Sequence, residues 1–176
     1  MSIVARIIHF LASAMLGFGQ GFMPVCGFNY GAQKYDRVLR AYKFSLTVAF
    51  LFFIVMALIV FNIAQPVITL FRSEDSEVIR VGVTALRYQC LVLPLQAWII
   101  ISNMLTQSIG KAWQASLISL SRQGIFFIPL IIFLPSIFDI SGIQLAQPLA
   151  DVATALLSIP LTLPILREIK QLHQNR

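Results

Sequence analysis

Five long apolar stretches occupy almost all of the chain, and the charged residues lie mostly in the short gaps between them. Each stretch reaches or exceeds the roughly 20 residues that an α-helix needs to cross a hydrocarbon core of about 30 Å. The runs are apolar at consecutive positions, as in Phe50–Phe61, whereas the strands of a membrane barrel alternate between apolar and polar residues. The pattern predicts five transmembrane helices at residues 3–28, 41–71, 81–109, 112–138 and 142–166.

The composition supports a protein whose surroundings are lipid. Hydrophobic residues make up 58% of the chain and charged residues 11%, and the mean hydropathy is +0.83. A soluble domain of this length rarely has such values. The loops are short, so successive helices should run antiparallel and pack together. We therefore expect an all-α, polytopic membrane helix bundle that forms a single transmembrane domain over residues 1–176.

The positive charges are distributed unevenly between the two ends of the predicted helices. The chain has 13 Lys and Arg against 7 Asp and Glu. Because the cations are spread over loops and are not interleaved with aromatic residues, nucleic acid is not an expected partner. Under the positive-inside rule, the first and third loops and the C-terminus are cytoplasmic and the N-terminus is outside. The cations on the cytoplasmic side are Lys34, Arg37, Arg40, Lys43, Lys111, Arg122, Arg167, Lys170 and Arg176.

No motif in the sequence predicts an enzyme, a cofactor or a metal site. Cys26 and Cys90 lie in separate apolar stretches without metal-ligand spacing, and His9 and His173 have no companion ligands. A phosphate-binding GxxxxGK[ST] loop and a nucleophile elbow are both missing from the sequence. We expect no enzyme activity, and if the protein transports a solute, an ion gradient should supply the energy.

Polar side chains recur at helical spacing on four of the five predicted helices. Unpartnered amides are costly in hydrocarbon, so these stripes should face one another or a shared wet cavity. Interhelical hydrogen bonding without a cavity is the alternative interpretation. The amides predicted to line a substrate cavity are Gln20, Gln89, Gln96 and Asn103.

Two ionisable residues lie at membrane depth. Arg87 is near the outer end of the third predicted helix, where its long side chain can reach the headgroups. Asp151 lies within the fifth predicted helix, close to Pro148 and the polar stripe of that helix. Acids within membrane helices are rare and often functional. Asp151 is therefore a candidate for ion or proton coupling, and the alternative is a structural acid satisfied by its partners.

The segment that closes the first predicted helix carries a family resemblance. It reads Gly-Gln-Gly-Phe-Met-Pro-Val-Cys-Gly-Phe-Asn-Tyr-Gly-Ala-Gln from Gly19 to Gln33 and is followed by Tyr-Asp-Arg-Val at 35–38. This segment resembles the multidrug and toxic compound extrusion (MATE) family at the end of the eighth of its twelve helices. Leu93-Pro94, the stretch from Gln107 to Lys111, and the stretch from Ala146 to Asp151 are similar to later parts of the family. The motif residues, interpreted as structural, are Gly27, Asn29, Tyr30, Gly31 and Ala32.

The resemblance implies a fold of two six-helix lobes around a central cavity. It also implies export of cationic or amphipathic drugs in exchange for protons or sodium ions. The chain resembles helices eight to twelve, an incomplete C-terminal lobe, so we expect the missing N-terminal lobe of the same protein as a partner. The principal coupling acid of the family lies in that first lobe, so any coupling through this part would involve Asp151.

We expect a multi-pass protein of the bacterial inner (plasma) membrane. The alternatives to a drug antiporter are a five-helix membrane scaffold or assembly partner, a non-functional truncated fragment, and a relative that exports lipid-linked saccharides. The last of these usually needs a more cationic cavity than the amide stripes offer.

Overall fold

A computed structural model of the protein describes residues 2–71 and 76–174. The chain ends and residues 72–75, which belong to the loop between the second and third predicted helices, lie outside the described residues. The described part is helical and contains no strand. Its elements are α1 (Ser2–Gly31), α2 (Tyr35–Asn62), α3 (Ala64–Phe71), α4 (Ser76–Ser108), α5 (Ala112–Leu120), a π-helical turn (Ser121–Ile125) and α6 (Phe127–Gln174).

Four helical segments are long and apolar enough to cross a membrane. Three of them are Val4–Gly31, Tyr35–Asn62 and Ile79–Ser108. The fourth, Ala112–Gln174, has 63 residues. A straight helix of that length would measure roughly 95 Å at 1.5 Å per residue, about three times the hydrocarbon core.

The long fourth segment is a hairpin that turns at Asp139. The φ of Asp139 is 49° and its ψ is −128°, which breaks the helical path. Residues on the two sides of the turn meet: Nε of Arg122 lies 2.9 Å from Oδ1 of Asp151, and Nζ of Lys111 lies 2.5 Å from Oε2 of Glu168. We call residues 127–138 the first limb of α6 and residues 140–174 its second limb. The described residues therefore form five membrane-crossing helical segments.

Gly142 allows the two limbs of α6 to pack closely just after the turn. A Cβ atom at this position would overlap the backbone of Leu134 and lie 2.7 Å from the backbone N of Pro135. Backbone atoms cannot move aside as a flexible side chain can, so the close approach of the limbs depends on the missing side chain.

The second predicted helix, residues 41–71, is divided between α2 and α3. Ile63 lies between them and donates its backbone N–H to Ile59 as the C-cap of α2. Pro66 has no N–H to donate to Asn62, and its ring conflicts with the carbonyl four residues earlier, which explains the break. Prolines within α1 and α4, in contrast, leave those helices continuous.

The C-terminal ends of α1 and α4, which the charge pattern predicts to be cytoplasmic, are closed by Schellman motifs. At the end of α1, Lys34 N–H donates to Asn29 O and Gln33, with a φ of 57°, donates to Tyr30 O. At the end of α4, Lys111 N–H donates to Thr106 O and Gly110, with a φ of 79°, donates to Gln107 O. Both motifs satisfy backbone carbonyls that a helix end leaves without partners.

Helix α4 is the centre of the bundle. It contacts each of the other five α-helices. In its most apolar 18-residue window 67% of the residues are buried, compared with 33% in that of α1 and 28% in that of α2. Its two sides differ in chemistry. A large apolar cluster joins α4 to α1, α2 and α3, with Phe53, Leu86 and Ile101 among its fully buried members. The side facing the hairpin carries polar residues instead.

Candidate functional site

The buried polar residues gather where α4 meets the hairpin. Asp151 is fully buried on the second limb of α6. Its Oδ1 accepts a hydrogen bond of 2.9 Å from Nε of Arg122. Its Oδ2 accepts two more, of 2.6 Å from Nε2 of Gln89 and 3.1 Å from Nε2 of Gln96. We call these four residues the Asp151 cluster.

The local structure brings the members of the cluster together. Gln89 and Gln96 are seven residues apart on α4, a spacing of two helical turns that puts both amides on one face. Arg122 lies in the π-helical turn Ser121–Ile125. Short π-helical segments insert an extra residue into a helix and occur often at functional sites. Asp151 follows Pro148 by three residues on the limb that packs against α4.

The carboxylate of Asp151 is well satisfied in this arrangement. It has an arginine as counter-ion and two amide donors, so both of its oxygens accept hydrogen bonds. The side chain of Arg122 is only 21% exposed and that of Asp151 is not exposed. Removing one partner of such a pair leaves an uncompensated buried charge, which is strongly destabilising.

Next to the cluster lies a cavity of about 170 Å³. It is bounded by α1, α4, the π-helical turn and both limbs of α6. Gln89 and Arg122 connect the cavity to Asp151. The other polar side chains lining it are His9, Gln123, Gln144 and Gln147. The remaining walls are apolar, so the cavity combines a charged and amide-rich side with a hydrophobic one.

The structure brings together some of the sequence-predicted site residues and separates others. Gln89, Gln96 and Asp151 form one cluster, and of the four predicted amides only Gln89 lines the cavity. The Nδ2 of Asn103 donates 2.8 Å to Oγ of Ser119 on α5. Gln20 is exposed on α1. The amide oxygens of Gln96 and Asn103 are buried without a hydrogen-bond partner among the described residues.

The structure places Arg122 differently from the sequence interpretation. The sequence interpretation counted Arg122 with Lys111 as a cation flanking the third loop. In the structure Arg122 lies inside the fourth membrane-crossing segment and pairs with Asp151. The signal was an arginine within a stretch predicted to cross the membrane, where charges are rare. Arg87, by contrast, is exposed on α4 and its guanidinium lies 5.2 Å from the ring centre of Phe61.

The motif residues at the end of α1 have local structural contacts. A Cβ at Gly27 would lie 3.1 Å from the backbone O of Ser108, so Gly27 lets α1 approach α4 closely. Asn29 Nδ2 donates to Val25 O at 2.8 Å. The ring of Tyr30 packs edge-on against that of Tyr35 at 5.7 Å. The left-handed residue that ends the helix is Gln33, while Gly31 and Ala32 precede it and are exposed.

Metal ligands do not cluster in the described residues. Within residues 2–71 and 76–174, no group of three or more His, Cys, Asp or Glu lies close enough to hold an ion. Cys26 and Cys90 are buried and separate. The chemistry of the site is therefore that of one ion pair and its surrounding amides.

Comparisons with known proteins identify the class of this fold. The five membrane-crossing helical segments, two of which form the hairpin, match the fold of multi-pass membrane transporters. The family model MatE matches residues 1–133, and the chain belongs to this family.

Individual relatives agree with the family match. The chain is 23% identical over 151 residues to the multidrug export protein MepA of Staphylococcus saprophyticus, covering 86% of this chain and 33% of MepA. A solved structure described as "protein A" is 38% identical, with a TM-score of 0.83, covering 91% of this chain and 36% of that one. The MATE transporter VcmN of Vibrio cholerae in its bent form is 18% identical, with a TM-score of 0.85, covering 97% of this chain and 39% of VcmN.

The chain spans about a third of MepA and less than two fifths of these two solved structures. At 18% identity, the likeness to VcmN concerns the fold. The described helices are therefore similar to one part of a MATE transporter.

Proposed function

We propose that this chain forms part of the C-terminal lobe of a multidrug exporter. The complete transporter moves cationic or amphipathic drugs out across the bacterial plasma membrane in exchange for protons or sodium ions, without an organic cofactor. The membership of the MatE family, together with the fold match, carries the proposal, and the relative MepA is named as a multidrug export protein. The C-terminus, with Arg167 and Lys170 near it, is cytoplasmic in this proposal.

The proposed partner is the second lobe of the same transporter. Between Phe10 and Phe28, which are themselves exposed, one side of α1 exposes small and polar residues, among them Ser13, Gly17, Gln20, Gly21 and Pro24. A polar stripe of this kind is poorly matched to lipid tails. We propose that it faces the drug cavity between the lobes, where Gln20 contacts the substrate.

Asp151 is the proposed coupling acid of this lobe, and its contacts restrict how it can act. Both carboxylate oxygens already accept hydrogen bonds, and Arg122 balances the charge. A proton or a sodium ion therefore competes with Arg122 for the carboxylate. Coupling through Asp151 requires this ion pair to open during the transport cycle.

Drug efflux from cells making the full-length protein tests the proposal. Ethidium efflux should be driven by the membrane ion gradients and should stop when proton and sodium gradients are both dissipated. Efflux that continues without either gradient would contradict it. Asp151→Asn should abolish gradient-driven efflux when the rate is expressed per molecule of folded transporter in the membrane, and the matched control is Asp36→Asn, which changes an acid paired with Arg40 at the surface.

A five-helix membrane scaffold is the second candidate, and one observation favours it. Several polar residues of α4 already contact the hairpin: Trp98 Nε1 donates to Ser158 Oγ at 2.8 Å, and Asn103 donates to Ser119. These contacts join helices and need no substrate. A stable, monodisperse purified protein that shows no drug transport would favour this candidate.

A further inference from the structure

Arg122 offers more hydrogen-bond donors than Asp151 uses. A guanidinium carries five N–H donors in a planar fork. Only Nε is bonded to Asp151, and no other described residue accepts a hydrogen bond from Nη1 or Nη2. Arg122 also lines the cavity. The ion pair therefore holds the arginine in place while leaving one edge of its guanidinium without a partner.

The surroundings of this edge suit an acceptor group on a ligand. The amides of Gln123 and Gln147 and the imidazole of His9 line the same cavity and can donate hydrogen bonds. Ile8, Phe127 and Ile131 add apolar surface to the cavity lining. A planar guanidinium binds carboxylates through two parallel hydrogen bonds, which makes it selective for that group.

The cavity volume limits how much of a ligand it can hold. Sites for drug-sized molecules usually measure about 300–1,000 Å³, whereas this cavity measures about 170 Å³. It can enclose the polar end of a ligand and the first part of an apolar chain. The rest of a longer ligand would project along α1 and the first limb of α6, which bound the cavity.

We propose that the cavity binds the carboxylate end of an amphipathic molecule, through Nη1 and Nη2 of Arg122, while the ion pair is closed and Asp151 orients the guanidinium. This ligand class differs from the cationic drugs of the proposed function. Binding at equilibrium needs no ion gradient and no export, so the two proposals can fail separately.

Three probes of one shape test the assignment: 4-phenylbutyrate, 4-phenylbutylammonium and 4-phenylbutanol. Each is titrated by calorimetry into the full-length protein in nanodiscs of neutral phosphatidylcholine, and empty nanodiscs correct for partition into lipid. The expected result is that 4-phenylbutyrate binds at least tenfold more tightly than the other two probes. Equal binding of the three, or tighter binding of the ammonium probe, would overturn the proposal.

Three variants then locate the binding. Arg122→Gln combined with Asp151→Asn removes both charges without leaving one unpaired, and should weaken 4-phenylbutyrate binding at least tenfold while leaving 4-phenylbutanol unchanged. Gln123→Glu adds a negative charge at an exposed residue of the cavity wall and should weaken the carboxylate probe selectively, even if the double variant fails to fold. Arg87→Gln, which removes an exposed arginine outside the cavity, should have no effect. Unchanged 4-phenylbutyrate binding to the Gln123→Glu protein would overturn the assignment.

Discussion

Helix α4 is held by two unlike interfaces. Toward α1, α2 and α3 it packs through a large apolar cluster with Phe53 and Leu86 at its centre. Toward the hairpin a second, smaller apolar cluster has Ile99, Ile118 and Ala155 as its buried members, and the Asp151 cluster supplies the polar contacts. Near the end of the second limb, Ile165 and Ile169 join the large cluster. Lipid tails are as apolar as these side chains, so burial from water drives neither interface. The apolar side relies on close packing, and the hairpin side relies on hydrogen bonds and charge.

The difference has a consequence for function. Packed apolar surfaces have few alternative arrangements of similar energy, whereas an ion pair can open when a proton, an ion or a ligand competes for one partner. Under the proposed function, the hairpin side of α4 is therefore the side that can change during transport. The cavity lies on that side too, between the hairpin, α4 and α1.

The largest expected effect comes from removing the acid of the cluster. Asp151→Leu leaves the charge of Arg122 without a counter-ion in a largely buried position, and we expect a loss of roughly 3–5 kcal/mol in the free energy of unfolding. Unfolding measured by denaturing detergent in mixed micelles checks this value.

The other hairpin ion pair provides the control for that variant. Glu168→Leu breaks the ion pair with Lys111. The side chain of Glu168 is 48% exposed and that of Lys111 is 29% exposed, so the variant should lower the free energy of unfolding by only about 0–1 kcal/mol. Equal losses for the two variants would contradict the distinction between a buried pair and a surface pair.

A smaller effect is expected on the apolar side. Phe53 is fully buried on α2, and Phe53→Ala leaves a cavity. In soluble proteins such a change costs roughly 3–5 kcal/mol, but part of that value is transfer from water, which is absent in lipid. We expect about 2 kcal/mol in the same unfolding assay.

Phe44 is the matched control because it lies on the same helix and its side chain is 66% exposed. Phe44→Ala should change the free energy of unfolding by less than half as much as Phe53→Ala. If the two phenylalanine variants behave alike, α2 does not pack against α4 as described.

The smallest expected effect concerns a polar contact within the apolar side. The hydroxyls of Tyr42 on α2 and Ser102 on α4 lie 3.0 Å apart and both residues are buried. Tyr42→Phe removes this hydrogen bond and should cost about 0.6 kcal/mol, the average for interhelical hydrogen bonds measured in a membrane protein. The same change at exposed Tyr88 should be neutral, and a cost at Tyr42 above that for Asp151→Leu would reverse the comparison between the two interfaces.

Much of the fold was predictable because lipid restricts the choice of structure. Long apolar runs in a bilayer must be helices, and the chain is indeed an all-α membrane bundle of the MatE family. The break between α2 and α3 was missed because the run of apolar residues continues across Ile63, whereas the α-helix ends there. Pro66 was the available signal, but prolines in α1 and α4 do not break those helices, so a proline alone does not locate a break.

The site was predictable in part. Asp151 was singled out as an acid at membrane depth, and Gln89 and Gln96 share one face of a helix by their spacing. The reversal at Asp139 falls in the predicted gap between residues 138 and 142. The meeting of these residues with Arg122 was not predictable, because it also depends on the π-helical turn, which leaves no regular pattern in the sequence. The role of each residue in transport remains a prediction.

The central claim is that Arg122 and Asp151 form a buried pair across the hairpin, and a double-mutant cycle tests it most directly. The free energy of unfolding is measured for the unchanged protein, for Arg122→Gln, for Asp151→Asn and for the double variant. Because the two groups are in contact, the two single-variant losses in the free energy of unfolding should add to about 1–3 kcal/mol more than the loss in the double variant. Losses that add to within about 0.3 kcal/mol would mean that the two side chains do not interact, and would contradict the account.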